Sequence, residues 1–423
     1  MQYPGRSNKH ALQMPNVNLL LGNNGAGKTT TLKAIALSVL SPVLSSSGLV
    51  PYRLIRHQTQ HQEGLIKALA QATVCFHEQD LGSKERAYLT NRRPTYMGMQ
   101  ITGFAGNERF FPQPDSASAT TSIFQSEGFR DDSPSFFVVG YGAIRRVEES
   151  KSLDIPSRRK MRLLRYERVA GLFENYVSLI PLTSWLPQYK ASNPGRYKQV
   201  VNLINRLLPE DARFLAKIEQ GDYLFEINGT PAPFGALSDG YQAYIGWVAD
   251  LLYHICMGAP RGAKLVDNYG IVLVDEIDLH LHPDWQRSVI PTIAEALPNL
   301  QFVFTTHSPI VAGSVEKENL YVMETTADGA SVVRQYNESI YGLNAEQILL
   351  SPYFNLATTR AANFSDELKT LSIKAGRGDL DAALAFMKRL AAPQAAVNGK
   401  PNTQTASTKK KTVTKKKSAK SKS

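Results

Sequence analysis

The sequence predicts an α/β fold with a mixed, largely parallel sheet, and three stretches carry that prediction. Residues 16–21 (NVNLLL), 270–274 (GIVLV) and 301–305 (QFVFT) are short, mostly apolar runs, which is typical of strands buried on both faces of a parallel sheet. A helical stretch, TLKAIALSVL, follows soon after the first run. Because ligands bind beyond the carboxyl ends of parallel strands, the residues after each run are the candidate site.

Residues 22–30 (GNNGAGKTT), which we call the phosphate loop, match the pattern G-x-x-x-x-G-K-[ST] between a strand and a helix. The glycines let backbone N–H groups and the helix N-terminus point at phosphate oxygens, Lys28 adds positive charge, and Thr29 can bind Mg²⁺. The plain alternative is a glycine-rich turn with a surface lysine. The predicted ATP-binding residues of this loop are Asn23, Asn24, Gly25, Ala26, Gly27, Lys28, Thr29 and Thr30.

Asp275 and Glu276, which we call the acidic pair, come directly after the second apolar run. In ATPases with a phosphate loop, an aspartate in this place supports Mg²⁺ and a neighbouring carboxylate orients and deprotonates the attacking water. We therefore assign Asp275 to the metal and Glu276 to water activation. The alternative is a solvated turn. His280 and His282 follow, with Asp278 nearby, but closely spaced ligands on one short loop supply too little of a metal shell.

The phrases NGAGKTT, LSDGYQ, DEIDLHLHPDWQR and TTHSP together resemble the compact ABC-type ATPases of the SMC, RecF and OLD branch. Within that branch the chain is similar to AAA family ATPases of prokaryotic antiphage defence systems, such as those of Septu (PtuA) and PARIS. The resemblance covers about residues 16–46 and 225–325. It implies an ABC-type head in which an insertion separates the phosphate loop from the second half of the fold.

The resemblance also assigns roles to a middle segment, ALSDGYQ at residues 236–242, which we call the signature segment. In ABC-type ATPases such a segment holds the γ-phosphate of ATP bound to the opposite subunit, which implies that Ser238 and Gly240 act in a homodimer with two ATP at its interface. A helix N-terminus suits an anion, although Ser238 could be an ordinary N-cap. The resemblance makes His307 the histidine that touches the γ-phosphate.

Three departures from the family pattern matter. Few residues precede the first strand, so the group that stacks on adenine is open, with Tyr3, Arg6 and His10 as candidates. No clear metal-linked glutamine follows a strand; residues 136–146 offer Tyr141, Arg145 or Arg146 for a sensing role, or form only a structural loop. After Thr325 the acidic cluster of a nuclease module is missing, and we expect no nuclease activity from this chain.

The predicted organisation has five parts. They are the first half of the head (residues 1–89), a loop-rich and helical insertion acting as a lid (90–224), the second half of the head (225–345), a helical segment (346–392) and a disordered lysine-rich tail (393–423). In the insertion we expect residues 90–135 to be mostly loop, and a helix from residue 157 whose arginines, including Arg165 and Arg168, face outward. Those arginines either form a solvated face or touch nucleic acid or an acidic protein. Near the end, Leu380, Ala383, Leu384 and Met387 predict a packing stripe that docks either on the head or on another subunit.

Composition favours a cytoplasmic protein. The chain has 423 residues, 43% of them hydrophobic, and no apolar run approaches the length of a membrane span. Its net charge of +11 is concentrated in residues 409–423, which hold eight lysines; such a tail either binds nucleic acid without sequence preference or is simply solvated. Cys75 and Cys256 lie in apolar surroundings without metal or redox spacing.

The sequence thus predicts an ATPase that uses ATP and Mg²⁺, dimerises, and serves an antiphage system as a sensor or scaffold that controls a separately encoded effector such as a nuclease. Two alternatives stay open. The first is a DNA repair or recombination ATPase, and the second is an assembly scaffold that binds ATP with little turnover.

Overall fold

The computed structural model describes residues 13–51, 54–55, 66–75, 95–104, 107–114, 130, 135, 137–147, 164–260 and 262–397. The chain divides into two compact units, Met1–Leu356 and Ala357–Ser423. The first unit holds the sheets and the candidate site. In the second, the described residues form two helices.

The described strands, in chain order, have the following bounds. They are β1 (Val17–Gly22), β2 (Ile66–Val74), β3 (Thr95–Phe104), β4 (Asn107–Pro114), β5 (Val138–Tyr141), β6 (Ala212–Glu219), β7 (Asp222–Ile227), β8 (Thr230–Pro233), β9 (Gly270–Val274), β10 (Leu300–Thr305), β11 (Leu320–Thr325) and β12 (Ser331–Arg334). The three apolar runs are therefore strands β1, β9 and β10, as predicted.

The described helices are numbered in the same way. They are α1 (Lys28–Val39), α2 (Ser41–Ser46), α3 (Leu164–Phe173), α4 (Leu182–Ser192), α5 (Pro194–Leu207), α6 (Asp239–Gly258), α7 (Pro283–Ala296), α8 (Pro309–Ala312), α9 (Ala345–Leu350), α10 (Ala362–Gly376) and α11 (Leu380–Val397). Among these, α1 begins at Lys28, within the phosphate loop, and α6 begins directly after Ser238.

The central sheet has six strands in the order β12-β11-β1-β10-β9-β5. Its neighbours are parallel except for β12, which runs antiparallel to β11. The predicted α/β class with a mixed, largely parallel sheet is confirmed. Because β1, β9 and β10 run parallel, the residues that follow them come together at one edge of the sheet.

Both faces of this sheet are covered. In β1, Leu19 and Leu21 belong to one buried cluster, while Leu20 belongs to a second cluster with α1 residues such as Leu32. Strands β9 and β10 alternate in the same way between the two clusters. This is the period of two that a strand imposes, and burial of both sets explains why the strand sequences are continuously apolar.

The part of the insertion predicted to be mostly loop contains strands, so that prediction is wrong for residues 95–104 and 107–114. Strand β3 pairs with β2 on one side and with β4 on the other, in an antiparallel sheet of three strands. In β3 the buried Met97, Met99 and Ile101 alternate with residues such as Tyr96, which is exposed. The alternation is a strand signal that the glycines and polar residues around it hide.

A second antiparallel sheet, β6-β7-β8, precedes the signature segment. The pair Asn228 and Gly229, with φ of 49° and 78°, joins β7 to β8, and positive φ at both central residues is what a tight hairpin turn requires. The predicted boundary at residue 224 falls inside β7, and that at residue 89 separates the paired β2 and β3. The five-part division stays a prediction.

The arginines of α3 are buried, so the outward-facing helix surface was a wrong prediction for Arg165 and Arg168, each 2% exposed. Arg165 donates a hydrogen bond from Nη2 to the carbonyl oxygen of Ser135 at 2.8 Å, and the Arg168 guanidinium lies over the Phe137 ring at 4.9 Å. Carbonyl partners and an aromatic face make burial of these cations tolerable. The other arginines of this segment lie outside the described residues.

Three further predictions concern the stripe on α11, the two cysteines and the start of the tail. Leu380, Leu384 and Met387 are exposed and Ala383 is partly buried, so docking of this stripe on another subunit stays a prediction. Cys256 is buried as expected, but Cys75 is exposed. Helix α11 continues to Val397, past the predicted start of the disordered tail; the lysines of residues 409–423 lie outside the described residues, as do Tyr3, Arg6 and His10.

Candidate functional site

The phosphate loop curls around the ammonium group of Lys28. Lys28 Nζ donates hydrogen bonds to the carbonyl oxygens of Gly22 at 2.8 Å and Asn23 at 3.2 Å. Gly27, with φ of 96°, turns the chain into α1, and a Cβ on Gly22 would lie 2.7 Å from the carbonyl oxygen of Met323. Burial lowers the pKa of Lys28, and the negative charges of Asp275, Glu276 and Asp278 oppose that shift. The loop is thus a preformed concave backbone with one cation inside it.

Asp275 is buried where β9 ends, and both of its carboxylate oxygens accept hydrogen bonds. Thr29 Oγ1 donates to Oδ2 at 2.7 Å and Thr305 Oγ1 donates to Oδ1 at 2.6 Å. Its backbone N–H donates to the carbonyl oxygen of Tyr141 at 2.9 Å. Three strands therefore hold this carboxylate against the first turn of α1.

Glu276 has a left-handed backbone, with φ of 47°. Such a conformation is unusual for a residue other than glycine and is found where surrounding contacts hold it. Here the Glu276 N–H donates to Thr305 Oγ1 at 2.8 Å, and the next N–H, of Ile277, donates to the Thr305 carbonyl oxygen at 3.0 Å. Thr305 therefore fixes the turn that presents the half-buried Glu276 side chain beside Asp275.

Of the three residues considered for sensing, Arg145 reaches the acidic pair. It donates from Nη1 to the Asp275 carbonyl oxygen at 2.5 Å and from Nη2 to that of Glu276 at 2.8 Å. Burial lowers its pKa to about 10, against the opposing charges of Asp275, Asp278 and Glu276; at neutral pH it remains a cation. Tyr141 instead donates its hydroxyl to Asp250 Oδ2 at 2.8 Å, inside the core.

His307 lies in the loop after β10 between two anchored neighbours. Thr306 Oγ1 donates to Asp278 Oδ1, and Ser308 Oγ donates to Gln286 Oε1 at 2.6 Å. Burial, and then the charge of Lys28, lowers the pKa of His307 below its usual 6.5, against the opposing effect of nearby carboxylates. The imidazole is therefore mostly neutral at neutral pH and can donate one hydrogen bond and accept one.

The signature segment is built differently. Ser238 is the N-cap of α6, it is exposed, and its hydroxyl makes no capping hydrogen bond. A Cβ on Gly240 would lie 2.8 Å from the His280 carbonyl oxygen, so glycine permits a close approach there. Tyr241 packs edge-on against Trp285 with ring centroids 4.3 Å apart. The helix start is thus firmly seated while its terminal groups face outward.

The structure brings together the predicted site residues of the phosphate loop, the acidic pair and His307, but not those of the signature segment. Lys28, Thr29, Asp275, Glu276 and His307 lie together, as the Thr29 contact and their mutual electrostatic effects demonstrate. Asn23, Asn24, Gly25 and Thr30 are exposed on the loop, and Ala26 is buried under it. Among the described residues, no hydrogen bond joins Ser238 or Gly240 to the phosphate loop.

Sequence reasoning missed Thr305, which touches both members of the acidic pair. It considered Asp278 only beside the two histidines, whereas Asp278 accepts a hydrogen bond from the Thr306 hydroxyl. A hydroxyl residue at the end of an apolar strand carries little signal by itself. Its role depends on β10 lying between β1 and β9, which the sequence alone does not give.

The donor set suits a hard cation. Thr29 Oγ1 and the Asp275 carboxylate are the kind of oxygen ligands that Mg²⁺ takes, and Mg²⁺ usually completes its shell with water and substrate phosphates. Where residues are described, no group of three or more His, Cys, Asp or Glu side chains is arranged to hold a metal. In that same part of the chain, no helix has the length and apolarity to cross a bilayer.

Residues 96–312, about half of the chain, match the family described as "AAA domain, putative AbiEii toxin, Type IV TA system". The chain belongs to this family of AAA domains. The matched range includes the signature segment, the acidic pair and His307, and begins after the phosphate loop.

Relatives by sequence include Septu proteins PtuA and probable ATPases of retrons. The chain is 25% identical over 342 residues to the Septu protein PtuA of Bacillus mycoides (strain KBAB4), covering 81% of this chain and 41% of that protein. It is 23% identical to the Retron Vc95 probable ATPase of Vibrio cholerae serotype O1 biovar El Tor (73% of this chain, 69% of the other). It is 31% identical to the Retron Ec83 probable ATPase of Escherichia coli (35% and 27%). The predicted resemblance to Septu-type AAA ATPases is confirmed, although the chain spans only about two fifths of the Bacillus protein.

Among solved structures, the chain is similar to an SMC head bound to the C-winged helix domain of ScpA. The TM-score is 0.44 and the identity 16%, over 76% of this chain and 90% of the other. The SMC head domain of Thermotoga maritima has a TM-score of 0.39 and 13% identity, over 76% and 91% of the two chains.

Proposed function

We propose that this chain is an ATPase that hydrolyses ATP to ADP and phosphate with Mg²⁺. The observation that carries the proposal is the contact between Thr29 Oγ1 and Asp275 Oδ2 at 2.7 Å, beside the buried ammonium of Lys28. It joins a phosphate-binding loop to a metal-binding carboxylate, and Glu276 lies next to both. Such a constellation has little other use than a nucleoside triphosphate.

In this proposal each residue has a separate task. Backbone N–H groups of the phosphate loop and Lys28 hold the phosphates, while Thr29 and Asp275 hold Mg²⁺. Mg²⁺, when bound, neutralises developing charge on the phosphate oxygens. The Glu276 carboxylate orients water and accepts its proton, the neutral His307 donates a hydrogen bond to the terminal phosphate, and Arg145 fixes the backbone of the acidic pair.

We further propose that two copies of the chain bind ATP between them. Ser238 and Gly240 of one copy would meet the terminal phosphate held by the phosphate loop of the other. An exposed helix N-terminus whose N-cap hydroxyl has no capping bond supports this, because such an end attracts an anion.

We also propose that the ATP-binding dimer serves an antiphage defence system in the cell and controls a separately encoded effector such as a nuclease. The support is the similarity to proteins of Septu and retron systems. A protein of DNA repair, or a scaffold with little turnover, would use the same ATP-binding site.

The test is a Glu276→Gln variant, with Glu295→Gln on the exposed face of α7 as the matched control. Removing a general base lowers turnover by about a hundredfold or more, so we expect Glu276→Gln to abolish steady-state phosphate release while ATP still binds and dimers accumulate. The control should hydrolyse ATP like the wild type. Wild-type protein that releases no phosphate, with or without DNA, would refute the ATPase and favour the scaffold.

A further inference from the structure

A cavity of about 450 Å³ lies directly beside the phosphate loop, within the size range of small-molecule sites. Its lining includes Asn23 and Ala26 of the loop, Glu324 at the end of β11, and Tyr336, Phe354 and Asn355. We call this cavity the base pocket. None of these last four residues belongs to the site already described.

The order of strands places the base pocket on the opposite side of β1 from the acidic pair. Strand β1 lies between β10 and β11, with β9 beyond β10. The acidic pair follows β9, whereas Val322, Met323 and Glu324 of β11 line the pocket. A nucleotide whose terminal phosphate faces Glu276 and whose phosphates lie on the loop would therefore direct its other end towards β11.

The pocket is continuous with the loop rather than a separate surface groove. A Cβ on Gly22 would lie 2.7 Å from the Met323 carbonyl oxygen, so loop and strand are in close contact there. Thr31 Oγ1, in the first turn of α1, lies 3.5 Å from Met323 Sδ. Because Gly22, Asn23 and Ala26 of the loop line the pocket, a molecule bound to the loop could extend into it.

The aromatic wall of the pocket is held in place by its own contacts. The Tyr336 and Tyr353 rings meet edge-on with centroids 5.3 Å apart, and the buried Tyr353 donates its hydroxyl to the Glu338 carbonyl oxygen at 2.7 Å. The Asn355 N–H donates to the Ser351 carbonyl oxygen at 2.8 Å. These bonds fix the segment that carries the half-buried Phe354, so little ordering would be needed on binding.

The polar side of the pocket can accept hydrogen bonds. The Tyr336 hydroxyl donates to Glu324 Oε1, and Arg334 Nε lies 3.0 Å from Glu324 Oε2. A carboxylate has about four acceptor positions, so Glu324 retains capacity for an amino group of a ligand. Aromatic side chains beside a hydrogen-bond acceptor are features that bind a heterocyclic base.

We propose that the base pocket receives the purine base of the nucleotide whose phosphates bind the phosphate loop, with Phe354 and Tyr336 contacting the ring. The assignment rests on the proposed ATP binding and gives it a specificity element from the segment after β12. The residues that the sequence offered for this task, Tyr3, Arg6 and His10, precede the loop instead.

The test compares a complete nucleotide with its phosphates alone. Binding of the Mg²⁺ complexes of a non-hydrolysable ATP analogue and of inorganic tripolyphosphate is measured by calorimetry for wild type and Phe354→Leu. Leucine keeps an apolar side chain but removes the aromatic face. Phe111→Leu, an identical change at a half-exposed position of β4 outside the pocket, is the matched control.

We expect Phe354→Leu to bind the ATP analogue roughly five- to twentyfold more weakly, as loss of a stacking face implies. Tripolyphosphate affinity should stay at the wild-type value, which also demonstrates that the variant is folded. Phe111→Leu should match the wild type with both ligands.

Three results would overturn the base pocket. They are unchanged affinity of Phe354→Leu for the analogue, equal weakening of both ligands, and loss of analogue binding in Tyr3→Ala but not in Phe354→Leu. In all three the wild type still binds the analogue, so ATP binding survives. If the wild type binds neither ligand, the proposed function fails with it.

Discussion

The acidic pair and the signature segment differ in whether their polar side chains find hydrogen-bond partners within the same chain. Asp275 is 4% exposed, and its two oxygens accept hydrogen bonds from Thr29 and Thr305. Ser238 is exposed at the start of a 20-residue helix, and its hydroxyl caps nothing. Both segments precede or follow buried apolar elements, yet only the first is satisfied internally.

The difference indicates that the two segments have different binding partners: groups of the same chain for the acidic pair, and water or another molecule for the signature segment. A buried carboxylate needs donors from its own chain, because an unpaired buried charge is costly. A helix N-terminus can leave its N–H groups to water, or to an anion brought by another molecule. We therefore interpret the acidic pair as the part of the site that one chain assembles by itself. We interpret the signature segment as the part that would bind the nucleotide held by a second copy.

The largest expected effect comes from Arg145, which holds the backbone of the acidic pair. It binds two neighbouring carbonyl oxygens with two guanidinium nitrogens, a geometry that lysine cannot reproduce. In Arg145→Lys we expect kcat to fall by about tenfold, as loss of one charged hydrogen bond implies. We expect KM for ATP to change little, because Arg145 holds the backbone of the acidic pair and not the phosphate loop.

The control for this change is Arg146→Lys, at the adjacent exposed position. A rise in KM with unchanged kcat in Arg145→Lys would mean that this arginine serves nucleotide binding rather than the position of Glu276. An unchanged enzyme would mean that its contacts do not matter for catalysis.

A smaller effect concerns His307 and pH. Its pKa in the folded protein is lowered from 6.5, chiefly by burial. As pH falls through 6.5, the unfolded chain therefore takes up this proton before the folded chain does, and the free energy of unfolding decreases. The stabilising contribution is fully present above pH 6.5 and is lost on acidification.

Urea unfolding on both sides of pH 6.5 measures this effect. We expect the stability of His307→Gln to decrease less steeply on acidification than that of the wild type. Parallel pH dependences for the two proteins would contradict the lowered pKa. A steeper decrease in the variant would contradict its sign.

Much of the central sheet and of the acidic pair follows from local sequence. Strands β1, β9 and β10 are readable because burial on both faces leaves continuous apolar runs. The phosphate loop is readable because its glycines and Lys28 are close in sequence. Parallel strands then bring Thr29 and Asp275 together, although 246 positions separate them.

The rest depends on contacts that no local pattern encodes. Arg145 and Arg165 are both arginines near one insertion, yet the first binds the backbone of the acidic pair and the second binds carbonyl oxygens near β5. Only the position of β5 beside β9 decides the first contact. Strand β3 was missed because Gly98 and Gly103 obscure its alternation. Phe354 lines a cavity beside the phosphate loop only because the fold brings the two segments together.

The central claim, that the site is shared between two copies, is tested by mixing two inactive variants. Lys28→Ala removes the phosphate-binding cation, and Ser238→Arg blocks the signature segment. Each should hydrolyse almost no ATP alone. In a mixed dimer, one site combines an intact phosphate loop with an intact signature segment, so an equimolar mixture should recover up to about a quarter of wild-type turnover. A mixture no more active than the sum of its two components would contradict the shared site.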